Sequence, residues 1–450
     1  MITLNIRIAV LFLIFSTTVA GAPAAPARFI ENSRLLQAAS AGDLAGVRRA
    51  LANGADVNAT SEVGDHALNL AADAGATIVC QALVNAGADI NAMGSSDRNA
   101  LMAAAERGRT DLVSMLLLHK ARVTCLTSLG ETPLLLAARA GCAACVVSLI
   151  NAGSDIGAAD KFGQTPLAAA IGAWPRGASL SAFAQLASRM NINLADRQGR
   201  TPLMLAAYNE RPDLLTVLLA HAANLAARDP AGRSALLFAA QGTSGSSADS
   251  RETSAMLYAA TIDRKLDGPC ALSLAAASGN VGAIQGLMTE GLSVNTPSAA
   301  NLDGLLIRAT SGSDLAKADS PAGMTPIMVA AARGQLASIL ELIRDHANAG
   351  ARDTRGRTAI MYAARGGHVE CAKRLIAYGV DVDAADLDGL RALMHAAATV
   401  KDASAGPAIV QALLAAGADR TAHDARGRTA GQIARDAGNM AVADALEGGK

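Results

Sequence analysis

Two cysteines three residues apart, Cys142 and Cys145, have the types and the spacing to do chemistry. A Cys-x-x-Cys pair at a helix start can exchange thiols with disulfides, because the helix N-terminus stabilises a thiolate. Enzymes of that kind also place the pair in a strand–helix–strand context, which is missing around Cys142-Ala143-Ala144-Cys145. Cys145 occupies an apolar position that Cys371 also fills, so packing accounts for it. Three readings stay open: a redox centre, a structural disulfide, or two unpaired thiols.

No other constellation competes. His66, His119, His221, His346, His368, His395 and His423 are scattered without metal-ligand spacing. The chain contains no Gly-x-Ser-x-Gly elbow, no phosphate loop and no distinctive pair of carboxylates. The sequence therefore assigns no catalytic residue, no metal ligand and no cofactor, and the expected function is not enzymatic.

The composition suggests what the chain builds instead. Hydrophobic residues make up 51% of it, yet aromatics only 2%, so the apolar content is small and aliphatic. Such side chains suit closely packed helices better than one large globular core, where aromatics supply much of the buried area. Basic and acidic residues balance at 39 each, which argues against a general affinity for nucleic acid or membranes.

The N-terminus reads as a secretory leader. Arg7 precedes the apolar run Ile8 to Phe15, and Ala20 and Ala22 end candidate cleavage signals. The run is too short for a spanning helix, which needs about 20 apolar residues. Residues 1–20 are expected to be a signal peptide and 21–32 a flexible lead-in, with no membrane span in the mature protein. The expected location is periplasmic or secreted.

Self-similarity dominates the rest. One apolar residue recurs every 33 positions at Leu35, Leu68, Leu101, Leu134 and Leu167. Insertions lengthen some later steps, at Leu203, Leu236, Leu272, Ile327, Ile360 and Leu393. Glycine follows seven residues after most of these, as at Gly42 and Gly141, and a second series includes Gly54, Gly87 and Gly153. The motifs Thr132-Pro133-Leu134, Thr165-Pro166-Leu167 and Thr201-Pro202-Leu203 read as helix starts, with Thr capping free amides and Pro in the first turn. The second glycine series should end helices in left-handed backbone. Lys120, Ala222 and His346 stand where that glycine is expected, at a cost of roughly 1 kcal/mol each.

These motifs, with Gly54-Ala55-Asp56-Val57-Asn58 and Gly87-Ala88-Asp89-Ile90-Asn91, resemble the ankyrin repeat over nearly all of the chain from Ser33. The resemblance implies an all-α repeat solenoid of helix-turn-helix units with β-hairpin fingers, about twelve units in one curved rod. It places repeats at 33–296 and 321–450, with capping repeats at both ends and an inserted finger at 297–320. Recurring aspartates such as Asp160, Asp196, Asp229, Asp353, Asp386 and Asp424 are expected to bond local backbone amides. His368 follows a turn glycine, where the family pattern often has histidine, and is expected to be structural. Cys80, Cys125, Cys270 and Cys371 fall in separate repeats, so any bond made by Cys142 or Cys145 should join the two to each other.

The resemblance also implies a protein-interaction scaffold that binds one or more proteins on its fingers and first helices. The candidate contact residues are Phe162, Arg197, Arg200, Arg233, Arg355, Arg357, Arg426 and Arg428, an arginine-rich row suited to an acidic surface. Trp174 and Leu305, both in insertions, are added as anchors. Two alternatives are a redox protein using Cys142 and Cys145, and a secreted effector that binds a protein of a host or neighbouring cell.

Overall fold

A computed structural model describes residues 25–95, 97–173, 180–189, 191–242, 248–261, 264–297, 323–399 and 405–447. The leader, Trp174, Leu305 and nearly all of the 297–320 insertion lie outside the described residues. The chain divides into two compact units between Asp155 and Ile156.

The first unit holds four helical pairs: α1 Ala25–Ser40 with α2 Leu44–Ala52, α3 Ala67–Asp73 with α4 Thr77–Asn85, α5 Ala100–Glu106 with α6 Thr110–Leu118, and α7 Pro133–Arg139 with α8 Ala143–Asn151. The second begins with α9 Pro166–Ala173 and α10 Ser181–Arg189, α11 Pro202–Tyr208 and α12 Pro212–Ala220, α13 Ala235–Ala240 and α14 Ala248–Ala260, then α15 Arg264–Ser278 and α16 Val281–Thr289. It continues with α17 Pro326–Ala332 and α18 Leu336–Arg344, α19 Ala359–Gly366 and α20 Val369–Ala377, α21 Ala392–Thr399 and α22 Ala405–Ala415, and α23 Ala430–Asp436 with α24 Met440–Glu447. Within each unit first helices pack on first helices and second on second, so each unit is a two-layered solenoid. Its core lies between the layers.

The recurring apolar residue builds that core. From Leu35 to Leu393 every one of the eleven positions in the series is at most 2% exposed. Burying a side chain of this size contributes roughly 2 kcal/mol relative to leaving it in water. Helix starts follow the Thr-Pro logic. The Thr132 hydroxyl accepts from Leu135 N–H at 3.1 Å and Pro133 fills the first turn; Thr165 caps Ala168 in the same way at 3.2 Å.

Second helices end in a left-handed residue, glycine in most repeats. At Gly153 (φ 87°) the N–H bonds to the Ile150 carbonyl at 3.0 Å, and the next N–H bonds to Leu149 at 3.1 Å. Lys120, Ala222 and His346 take up the same conformation, at φ 63°, 60° and 62°. Asp97 and Glu210 are also left-handed, at φ 59° and 52°, in positions where other repeats have turn glycines.

The fingers differ in one respect from paired strands. Among the described residues the only strand-type pairing outside helices is one bridge between Thr60 and His66. The fingers are instead five-residue turns, too short for a ladder to form; an aspartate closes six of those in the second unit, and the Ser61 and Thr127 hydroxyls accept the amide four residues ahead in two of the first.

Candidate functional site

Six fingers of the second unit are built alike. Asp196 receives the Gln198 and Arg200 amides on Oδ1, both at 2.9 Å. Asp229 holds Ala231 and Arg233 at 3.0 and 2.8 Å, and Asp424 holds Arg426 and Arg428 at 2.9 and 2.8 Å. The same pattern serves Asp160, Asp353 and Asp386. An aspartate fits because its short carboxylate reaches amides two and four residues ahead. Deeper, the turn before the finger is tied to its neighbour: Asn193 Oδ1 accepts from Asn224 N–H, and Asn295 Oδ1 from Asn348 N–H, both at 2.7 Å.

This geometry divides the arginine row in two. Four residues past the aspartate, Arg200, Arg233 and Arg428 turn back onto the second carboxylate oxygen of the same finger, with Nε at 2.8, 2.8 and 3.0 Å. Arg233 also lies over the Phe238 ring, 4.3 Å from its centroid, and Tyr208 meets that ring edge-on at 6.5 Å. These arginines close their fingers. Arg357 departs further from the expected stripe, because it is only 5% exposed. Tyr362 donates its hydroxyl to Asp353 Oδ2 at 2.5 Å, taking the place an arginine holds elsewhere, and Arg357 Nε lies 3.9 Å from Asp386 Oδ2. A side chain so placed cannot meet a partner's surface, so Arg357 is removed from the contact set.

Arg197, Arg355, Arg426 and Phe162 behave differently. They occupy the one or two positions before the finger glycine, at the tip, and all four are exposed, Phe162 at 62%. Their backbones are fixed. Arg197 N–H reaches the Phe162 carbonyl at 3.4 Å, Leu387 N–H the Arg355 carbonyl at 2.9 Å, and Ala425 N–H the Asp388 carbonyl at 3.0 Å. Neighbouring tips are thus joined main chain to main chain.

The sequence reading passed over the exposed apolar tips Leu387 in this unit and Val63 and Leu129 in the first. Register could have found them: Val63 and Leu129 immediately precede a finger glycine, as Phe162 does, and Leu387 stands two before one.

At the other chemical candidate, Cys142 and Cys145 are disulfide-bonded to each other. Cys145 is fully buried and Cys142 half-buried, and the Thr110 hydroxyl lies 3.5 and 3.6 Å from the two sulfurs. Cys145 N–H points at the Cys142 sulfur from 3.2 Å, so Cys142 also caps α8. His368 packs against the preceding repeat with Nε2 3.1 Å from the Ala332 carbonyl, and burial lowers its pKa. Among the described residues no group of three or more His, Cys, Asp or Glu side chains is placed to hold a metal ion. No helix there is long and apolar enough to cross a membrane.

The family profile for ankyrin repeats in three copies matches residues 35–127, 173–248 and 327–424, and that for a single ankyrin repeat matches 129–161. This chain belongs to the ankyrin-repeat family. Ankyrin repeats mediate protein–protein binding and are generally non-catalytic. Outside the matched stretches, α15 and α16 continue the same two-layered packing between α13–α14 and α17–α18. Among curated proteins none matches the chain.

Proposed function

We propose that this ankyrin-repeat protein is a non-catalytic scaffold that works outside the cytoplasm. It holds a protein partner on the finger tips and first helices, through a surface suited to acidic groups. One observation carries the binding reading: in the second unit the arginines at the tips are exposed on a backbone held by the finger's own aspartate and by a hydrogen bond to a neighbouring finger. Such an edge loses little conformational entropy when it is contacted, which is where preformed surfaces gain affinity. Arginine and aromatic side chains are also the types enriched at binding hot spots.

Support for export comes from Arg7, the apolar run Ile8 to Phe15 and the small residues that follow. The Cys142–Cys145 bond suits an oxidising compartment. N-terminal sequencing of protein from the exported fraction should begin after Ala20 or Ala22; an intact Met1 there overturns processing.

Crosslinking followed by mass spectrometry tests the binding reading. Crosslinks from a captured partner should fall on the fingers and first helices. The double variant Arg355→Ala/Arg426→Ala should then bind that partner more weakly, with an unchanged melting temperature. The parent complex should weaken as salt rises, because screening shortens the reach of exposed charges. Crosslinks confined to second helices, or a double variant that binds as tightly as the parent, would refute it.

A further inference from the structure

The finger Asp386–Leu390 breaks the rule that its neighbours keep. Four residues past the aspartate, where Asp196, Asp229, Asp353 and Asp424 are each followed by arginine, it has Leu390. The hydrogen-bonding group this removes is replaced from elsewhere: His395, on α21 and almost fully buried, places Nε2 2.9 Å from Asp386 Oδ2. Asp386 Oδ1 still holds the Asp388 and Leu390 amides, at 3.0 and 2.8 Å. The finger is therefore as well closed as the others, while both its first tip position, Leu387, and its closing position, Leu390, are apolar.

Leu387 is 78% exposed, more than any other large apolar side chain among the described residues of the second unit. Its backbone does not yield: its N–H bonds to the Arg355 carbonyl at 2.9 Å and its finger is pinned from within by Asp386. On either side stand the fingers that expose Arg355 and Arg426, each joined to this one by a tip-to-tip hydrogen bond. Asp388, also exposed, is the one acid at these three tips, against two arginines. The platform is thus an apolar knob on a hydrogen-bonded turn, set between two exposed arginines.

We infer that Leu387 is the central anchor of a docking surface formed by the three last fingers, Asp353–Arg357, Asp386–Leu390 and Asp424–Arg428. Its occupant is a partner segment with an apolar side chain flanked by carboxylates. The apolar group covers Leu387 and the carboxylates meet Arg355 and Arg426. This rests on the reading of the fingers as the binding edge, and narrows it to one place and one partner chemistry.

The test selects from a random dodecapeptide phage library on the immobilised full chain. Enriched sequences should carry an apolar residue with Asp or Glu within a few positions on both sides. A synthetic peptide of the leading sequence should bind in fluorescence anisotropy about tenfold or more weakly to Leu387→Ser, the loss expected on uncovering a leucine. Arg426→Ala should weaken it severalfold, more at low salt than at high. Leu387 and Arg426 are both exposed, so both variants should keep the parent's circular dichroism and melting temperature. No enrichment, enriched peptides without acids, or equal binding to Leu387→Ser would overturn the inference. A native partner that crosslinks to other fingers would overturn it too, while leaving the scaffold function standing.

Discussion

Replacing Lys120, Ala222 and His346 together by glycine should stabilise the protein. Each sits at the end of a second helix with φ near 60°, where a side chain costs roughly 1–2 kcal/mol. The hydrogen bonds show that only the side chain differs from the glycine repeats. Lys120 N–H bonds to Leu117 at 2.9 Å and Ala121 N–H to Leu116 at 3.0 Å, matching the pair of bonds around Gly153. All three side chains are exposed, so their removal forfeits no burial. Against the relief stands the extra freedom glycine gives the unfolded chain, about 0.4–1 kcal/mol. The net gain is then about 0.5 kcal/mol per site, and about 1.5 kcal/mol for three sites in different repeats, which share no partners and should add.

Urea denaturation followed by circular dichroism measures the sum. Hydrogen exchange at the Ala121, Ala223 and Ala347 amides measures each site, and is the safer readout because repeat arrays need not unfold in one step. The reverse change, Gly153→Ala, should destabilise by a similar amount. Space is not the obstacle there, since a Cβ on Gly153 would meet nothing within 4 Å. A triple variant no more stable than the parent, with unchanged exchange at the three amides, would refute the argument that these repeats carry backbone strain.

Three further outcomes are expected. Asp229→Ala removes two amide partners and leaves Arg233 without its carboxylate, which should cost about 2–4 kcal/mol in denaturant titration. Stability should fall with acid in two stages. His368 is held below its ordinary pKa by burial, so the unfolded chain takes up that proton first and stability drops as pH falls below about 6.5, a stage that His368→Gln should abolish. Burial alone would raise the Asp386 carboxyl, but the His395 and Leu390 hydrogen bonds hold it low, so its contribution is present above about pH 4 and lost below it. Native-state alkylation at pH 8, read by mass spectrometry, should modify half-buried Cys125 and spare Cys80 and Cys371. Burial pushes those two thiols up to about 12 and about 11, with the Glu370 charge adding to the second.

The helical pairs, the buried apolar series, the Thr-Pro helix starts and the left-handed Lys120, Ala222 and His346 were all legible in the sequence. Each depends on interactions spanning a few residues, repeated in many copies, so register alone locates them. The aspartate that closes six fingers of the second unit is equally local, reaching two and four residues ahead. Which arginines a partner could meet was not legible. In sequence, Arg355 and Arg357 differ only by two positions in one finger. In space, Arg357 is buried, because Tyr362 from the following helix takes the Asp353 carboxylate and Asp386 of the next finger lies beside the displaced guanidinium. Register alone placed Leu387 at a finger tip, but the exposed arginines on either side of it come from fingers about 30 or more residues away in sequence. Local chemistry shapes each repeat from within; exposure is settled between repeats, where only the folded stack brings the competing groups together.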